Sequence, residues 1–101
     1  MTVIWFRYRV EPARAEEFER EYGPAGTWAR FFAGAPGYVR TDLQRSLDEP
    51  GVYLLGDVWL SAEDHERFLA ENREEYARRG GEAERLYLSE ERLGRYADVA
   101  S

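Results

Sequence analysis

The stretch VYLLGDVWL, Val52 to Leu60, constrains this chain most, because it is apolar on both faces of an extended strand. Side chains alternate along a strand, so Tyr53, Leu55, Asp57 and Trp59 share one face and Val52, Leu54, Val58 and Leu60 the other. Neither face reads as solvent-facing, so both need cover. A capped helix follows. Ser61 with Asp64 three residues on resembles a capping box, and at about 100° per residue His65, Asn72 and Tyr76 stack on one stripe beside Phe68 and Leu69. His65 and Asn72 are the only histidine and asparagine of the chain. Polar groups on an apolar stripe point to a lined pocket.

The rest of the composition narrows the chemistry. With 101 residues, the chain is read as one domain, 1–101, large enough to hold a modest core without staples. Cysteine is absent, which removes disulfides and thiolate chemistry and makes a reducing cytoplasm the default compartment. Met1 runs straight into TVIWF with no basic leader, so export is not expected. No apolar run approaches the roughly 20 residues of a membrane span. All 14 basic residues are arginines, so lysine Schiff-base chemistry is excluded. A net charge of −6 without a basic stripe argues against nucleic acid as a partner.

The order of elements sets the fold class. Thr2 to Val10 reads as a strand, with Ile4, Phe6, Tyr8 and Val10 on one face and Val3, Trp5, Arg7 and Arg9 on the other. Pro12 suits a helix start, and Ala15, Phe18 and Tyr22 keep one helical face up to Gly23-Pro24. A short helix from about Pro24 to Ala33 gathers Trp28, Phe31 and Phe32. Tyr38 to Leu47 reads as a more polar strand near an edge, and Asp48 to Gly51 as a turn. After the strand to Leu60, a long helix is expected from Ala62 to Arg79, stopped by Gly80-Gly81. A short helical piece over Glu82 to Leu88 and a last strand in RLGRYADV complete the chain. This is an α+β chain, a ferredoxin-like split βαβ pattern with a four-stranded antiparallel sheet. Helices cover one sheet face only, so the second apolar face predicts a homodimer, two sheets packing as a dimeric α+β barrel.

Four segments, YGPAGTWARFF, APGYVRTDL, VYLLGDVWLSAEDHERF and ERLGRY, together resemble the antibiotic biosynthesis monooxygenase family of small dimeric α+β barrels. The resemblance covers almost the whole chain. It implies a cofactor-independent monooxygenase acting on a small aromatic or polyketide-like ligand, although the family also holds haem-degrading enzymes. The anthrone-oxidising members place an Asn, a Trp, a Tyr and an Arg at positions that fall here on Leu55, Trp59, His65 and Arg78 or Arg79. Trp59 matches, whereas Leu55 and His65 depart from the pattern. The haem-degrading members' Asn, Trp and His positions fall on Phe6, Phe68 and Arg78, which argues against that branch and against a cofactor.

The candidate site follows from these residues. His65, Asn72 and Trp59 are the candidate catalytic groups. His65 or Asn72 would assist deprotonation of a phenolic or enolic substrate, and Trp59 would wall the pocket or donate its indole N–H. Tyr76, Trp28, Tyr22, Phe32, Phe68, Asp57 and Leu55 are the candidate substrate-binding groups. Each has a plainer reading: aromatic stripes at helical spacing fill cores, and a primary amide on an inward stripe can hold a backbone group. Asp57 is expected to pair with a strand arginine, Arg7 or Arg9, because an unpaired buried carboxylate is costly. One histidine and no cysteine do not make a conventional zinc site, and no serine elbow or phosphate loop occurs. The alternative function is a non-catalytic dimer that binds a small metabolite, its cavity closed by Trp28, Trp59 and Phe68.

Overall fold

A computed structural model describes residues 1–100; Ser101, the last residue of the expected domain, lies outside the described residues. The strands are β1 (Thr2–Arg9), β2 (Tyr38–Arg45), β3 (Val52–Trp59) and β4 (Ser89–Ala97), and they form one sheet in the order β2-β3-β1-β4. All three pairings are antiparallel. The helices are α1 (Ala15–Tyr22), α2 (Thr27–Phe32), α3 (Ala62–Glu71) and α4 (Arg73–Ala83). This is the expected α+β ferredoxin-like arrangement, with β2 at a sheet edge.

Register fixes the two faces of the sheet. Phe6 lies opposite Leu55 and Ile4 opposite Asp57, so Ile4, Phe6 and Tyr8 share the helix-covered face with Leu55, Asp57 and Trp59. The other face carries Val3, Trp5, Arg7 and Arg9 with Leu54, Gly56 and Val58. Trp5 sits opposite both Gly56 and Gly94. Its ring lies so close to the Gly56 backbone that a Cβ there would stand 2.7 Å from it. One side chain therefore covers part of the second apolar face from within the same chain, and Val58 on that face is already buried.

The helix-covered face holds two packed clusters. One groups Tyr8, Phe18, Tyr22, Tyr53 and Leu55; the other groups Ile4, Phe32, Trp59 and Phe68. Phe18 and Tyr22 stack with centroids 4.4 Å apart, and Trp59 is fully buried. Burial of several such rings, at about 1.5–3 kcal/mol each, drives the helices onto the sheet.

Two expectations about the helices are corrected. The helix from Ala62 does not run unbroken to Arg79; it stops at Asn72, whose backbone sits at φ −126 and ψ 28. The Asn72 amide donates a 2.9 Å hydrogen bond back to the Phe68 carbonyl, the local competition with helix geometry for which asparagine is known. Gly80-Gly81 does not end the following helix either. Both glycines lie within α4, which continues to Ala83, and neither has the positive φ of a glycine cap. At the other end, α3 begins as read from its sequence, with the Asp64 backbone N–H donating to Ser61 Oγ at 3.1 Å.

Candidate functional site

The two aromatic clusters meet at a small pocket of about 30 Å³ between helices and sheet. That is room for about one water molecule. Leu55 and Asp57 of β3 line it from the sheet, and Tyr22, Trp28, Phe32 and Tyr76 line it from the helices. Six of the expected site residues are thus brought together by elements far apart in sequence. Phe6, Tyr8 and Glu90 complete the wall.

His65, Trp59 and Phe68 stand behind this wall. Trp59 packs on Phe32 with centroids 5.8 Å apart, and His65 and Phe68 pack on Trp59 at 5.5 and 5.6 Å. Trp59 Nε1 and His65 Nδ1 are both buried without a hydrogen-bond partner among the described residues. Burial, then Arg95 and Arg92 of β4, push the His65 imidazole down to about 4, so it is neutral at pH 7 and a weak base. Asn72 lies apart at the α3–α4 break, where its amide is engaged by the Phe68 carbonyl.

Asp57 does not make the expected ion pair. Arg7 instead reaches Glu91 and Arg9 reaches Glu49. The reason is strand alternation: both arginines occupy the sheet face opposite to Asp57. Asp57 is 8 % exposed, and its partner is the buried Thr41, whose hydroxyl donates to Asp57 Oδ1 at 2.8 Å. Burial pushes the Asp57 carboxyl up to about 7, with the Thr41 hydrogen bond opposing that rise. Thr41 is in turn 2.7 Å from the Tyr38 hydroxyl. Since Thr41 gives its one proton to Asp57, Tyr38 is the donor in that contact. Residues three apart normally point to opposite faces of a strand. Here a register shift between Tyr38 and Arg40 turns both side chains to the same face.

Three groups here escaped the sequence reading. Thr41 faces Asp57 directly across the β2–β3 pair, whereas counting outward from a turn at Asp48–Gly51 would have put Asp42 there, because the observed connection between Ser46 and Val52 is one residue longer. Tyr8 donates to Glu90 Oε2 at 2.6 Å, and its hydroxyl is pushed well above the usual tyrosine range, mainly by burial. Glu90 belongs to a strand that starts earlier than the sequence pattern suggested, because β4 is almost wholly exposed and has no alternating signal.

Outside Trp28 a larger cleft of about 320 Å³ runs between the helices, lined by Glu21, Thr27, Arg78, Arg79 and Leu86 among others. Trp28 is half-buried and belongs to both walls, and it packs edge-on to Tyr76 with centroids 5.5 Å apart. It is the ring that separates cleft from pocket. No group of three or more His, Cys, Asp or Glu side chains able to hold a metal occurs among the described residues. The one imidazole of the chain, that of His65, is not part of the pocket wall. Among the described residues no helix is long and apolar enough to cross a membrane.

Comparison with known proteins places these features in a family. The family described as antibiotic biosynthesis monooxygenase matches residues 1–79. Among solved structures, the chain is similar to a mutant of SnoaB, a cofactor-independent oxygenase from Streptomyces nogalater. The identity is 27 % and the TM-score 0.73, with 99 % of this chain and 94 % of that chain covered. Another structure of SnoaB matches over the same shares with a TM-score of 0.68. The haem degrader MhuD from Mycobacterium tuberculosis shares the fold at 19 % identity and a TM-score of 0.72, with 100 % of this chain and 98 % of that chain covered. No curated protein matches the chain.

Proposed function

Because the chain belongs to the antibiotic biosynthesis monooxygenase family, we propose that it is a cofactor-independent oxygenase of a small, planar aromatic or polyketide-like substrate. The observation that carries this reading is the pocket: an aromatic wall interrupted by a buried carboxyl with no cation beside it. Such a wall suits a flat ring system, and a proton acceptor titrating near neutrality suits an activated C–H or phenolic O–H.

The chemistry balances with dioxygen as oxidant. A methylene activated by its aromatic neighbours gives one proton to the pocket, and the electron pair stays on carbon. That carbanion and dioxygen form a C–O bond, and the returned proton gives a hydroperoxide. Loss of the second C–H proton with cleavage of the O–O bond leaves a carbonyl and releases water. The protein's part is to hold the ring against Phe32 and Tyr22, keep bulk water out and carry the proton.

A pocket of about 30 Å³ does not admit such a ring system at rest, whereas ligand sites are generally about 300–1,000 Å³. Rotation of Trp28 would join the pocket to the cleft of about 320 Å³ and make a site of ordinary size. The closed pocket is also what favours the second reading, a non-catalytic metabolite-binding dimer. Homodimerisation through the uncovered sheet face belongs to both readings. Its support is the apolar group of Val3, Trp5 and Leu54, together with Tyr96, which stands opposite Val3.

Incubation with anthrone-type substrates, with and without air, separates the readings. Oxygen uptake matched by quinone formation is expected of the oxygenase. Binding without uptake above the uncatalysed rate would overturn it in favour of the metabolite-binding dimer.

A further inference from the structure

We propose that Asp57 is the proton-accepting residue of this pocket, and that Thr41 and Tyr38 are positioning residues that hold its carboxylate with Oδ2 turned to the substrate. The inference rests on the reading of the pocket as an oxygenase site and assigns its base. Geometry carries it. Oδ1 is tied to the Thr41 hydroxyl at 2.8 Å, while no donor among the described residues reaches Oδ2, and Asp57 lines the pocket. Thr41 is 1 % exposed, so this contact is not shared with solvent. Tyr38 donates to Thr41 at 2.7 Å and thereby fixes the direction in which the Thr41 hydroxyl points. The three groups form a single-file chain of donors ending on the carboxylate.

The bulge in β2 is what makes this chain possible. Without the register shift after Tyr38, its ring would face the opposite side of the sheet and Thr41 would lose its orienting partner. A device that needs an irregular strand to form, and that leaves one carboxylate oxygen unengaged, is better explained by the carboxylate's use than by packing alone.

The surroundings set how Asp57 titrates. Tyr8 of β1 and Tyr22 of α1 face the pocket, with Tyr76 of α4 and Glu90 of β4. Tyr38 and Thr41 approach from β2. Arg92 of β4 acts on Tyr76 from outside the wall. The α2 side chains, Trp28 and Phe32, do not titrate. The hydroxyls of Tyr8, Tyr22 and Tyr76 are all pushed up, mainly by burial, and stay protonated throughout the neutral range, whereas the Asp57 carboxyl exchanges its proton there.

The test is a carbon NMR titration of the Asp57 carboxyl in the whole chain, which needs no substrate. The wild type is expected to titrate near neutrality. Thr41→Val removes the hydrogen bond that favours the ionised form and should move the midpoint up by about one pH unit. Thr41→Ser keeps the hydroxyl and should restore it, and Tyr38→Phe should give a smaller upward shift. An Asp57 midpoint in the ordinary carboxylate range, or one unmoved by Thr41→Val in a folded variant, would overturn the positioning chain. Where oxygen uptake is found, Asp57→Asn should lower kcat at least 100-fold with little change in KM. Undiminished kcat in that variant would refute Asp57 as the base while leaving the oxygenase reading intact.

Discussion

The indole of Trp59 and the imidazole of His65 lie with ring centroids 5.5 Å apart, and each buries a nitrogen that has no hydrogen-bond partner among the described residues. Two unsatisfied polar atoms in one contact make this corner costly, at about 1–3 kcal/mol per group. The cost for His65 increases when the ring must carry charge.

That gives an acid limb to stability. The folded imidazole sits at about 4, below its ordinary 6.5, so the folded state holds this proton less tightly than the unfolded chain. The stability it contributes is present above pH 6.5 and is lost as pH falls through 4. Urea unfolding should show a loss on the order of 1–3 kcal/mol over that window, and His65→Leu should flatten it. An equally steep acid limb in the variant would contradict this account of His65.

Asp57 acts in the opposite sense. Its folded carboxyl titrates at about 7 instead of 3.8, so its favourable contribution is complete below 3.8 and is lost as pH rises through 7. Ionising it in the folded state costs on the order of 3–4 kcal/mol. Asp57→Asn is therefore expected to be more stable than the wild type at pH 8 and to lose most of that advantage at pH 5. Urea midpoints at the two pH values measure this directly.

Trp28 separates the cleft from the pocket, so Trp28→Ala should bring them together. The variant is expected to lose about 1–3 kcal/mol of stability, less than a fully buried tryptophan would cost. It should also bind planar tricyclic aromatics at least tenfold more tightly, read by calorimetry. Lower stability with unchanged binding would mean that Trp28 fills space without guarding the pocket.

The uncovered sheet face gives a prediction about assembly. Light scattering should report about twice the chain mass of 11.8 kDa, and Leu54→Glu should shift the protein toward monomer. Gly56→Ala puts a methyl group 2.7 Å from the Trp5 ring and should weaken folding and pairing together, at about 1–3 kcal/mol. A monomeric wild type at micromolar concentration would leave Trp5 as the cover that this face has.

The fold was legible because its signals are periodic. The two-faced pattern of Val52 to Leu60 and the capped start at Ser61 gave β3 and the start of α3. The break at Asn72 was not legible, because an amide that turns back on its own helix has the same sequence as one that faces a ligand. The stripe through His65, Asn72 and Tyr76 assumed an unbroken helix, and only Tyr76 reaches the pocket. Asp57 was found by alternation, but its partner was misread, since Arg7 and Arg9 alternate onto the other face. Thr41 was hidden by a loop one residue longer than the turn read from the sequence, and Tyr38 by a bulge, which breaks the period that pairing depends on.

The central claim is that dioxygen is used on a substrate held in this pocket, and labelled dioxygen tests it most directly. Anthrone-type substrate should be turned over under isotopically labelled dioxygen in ordinary water, and the product analysed by mass spectrometry. One labelled oxygen atom is expected in the new carbonyl, and none when the label is in the water instead. Turnover that incorporates oxygen from water, or no turnover above the protein-free rate, would contradict it.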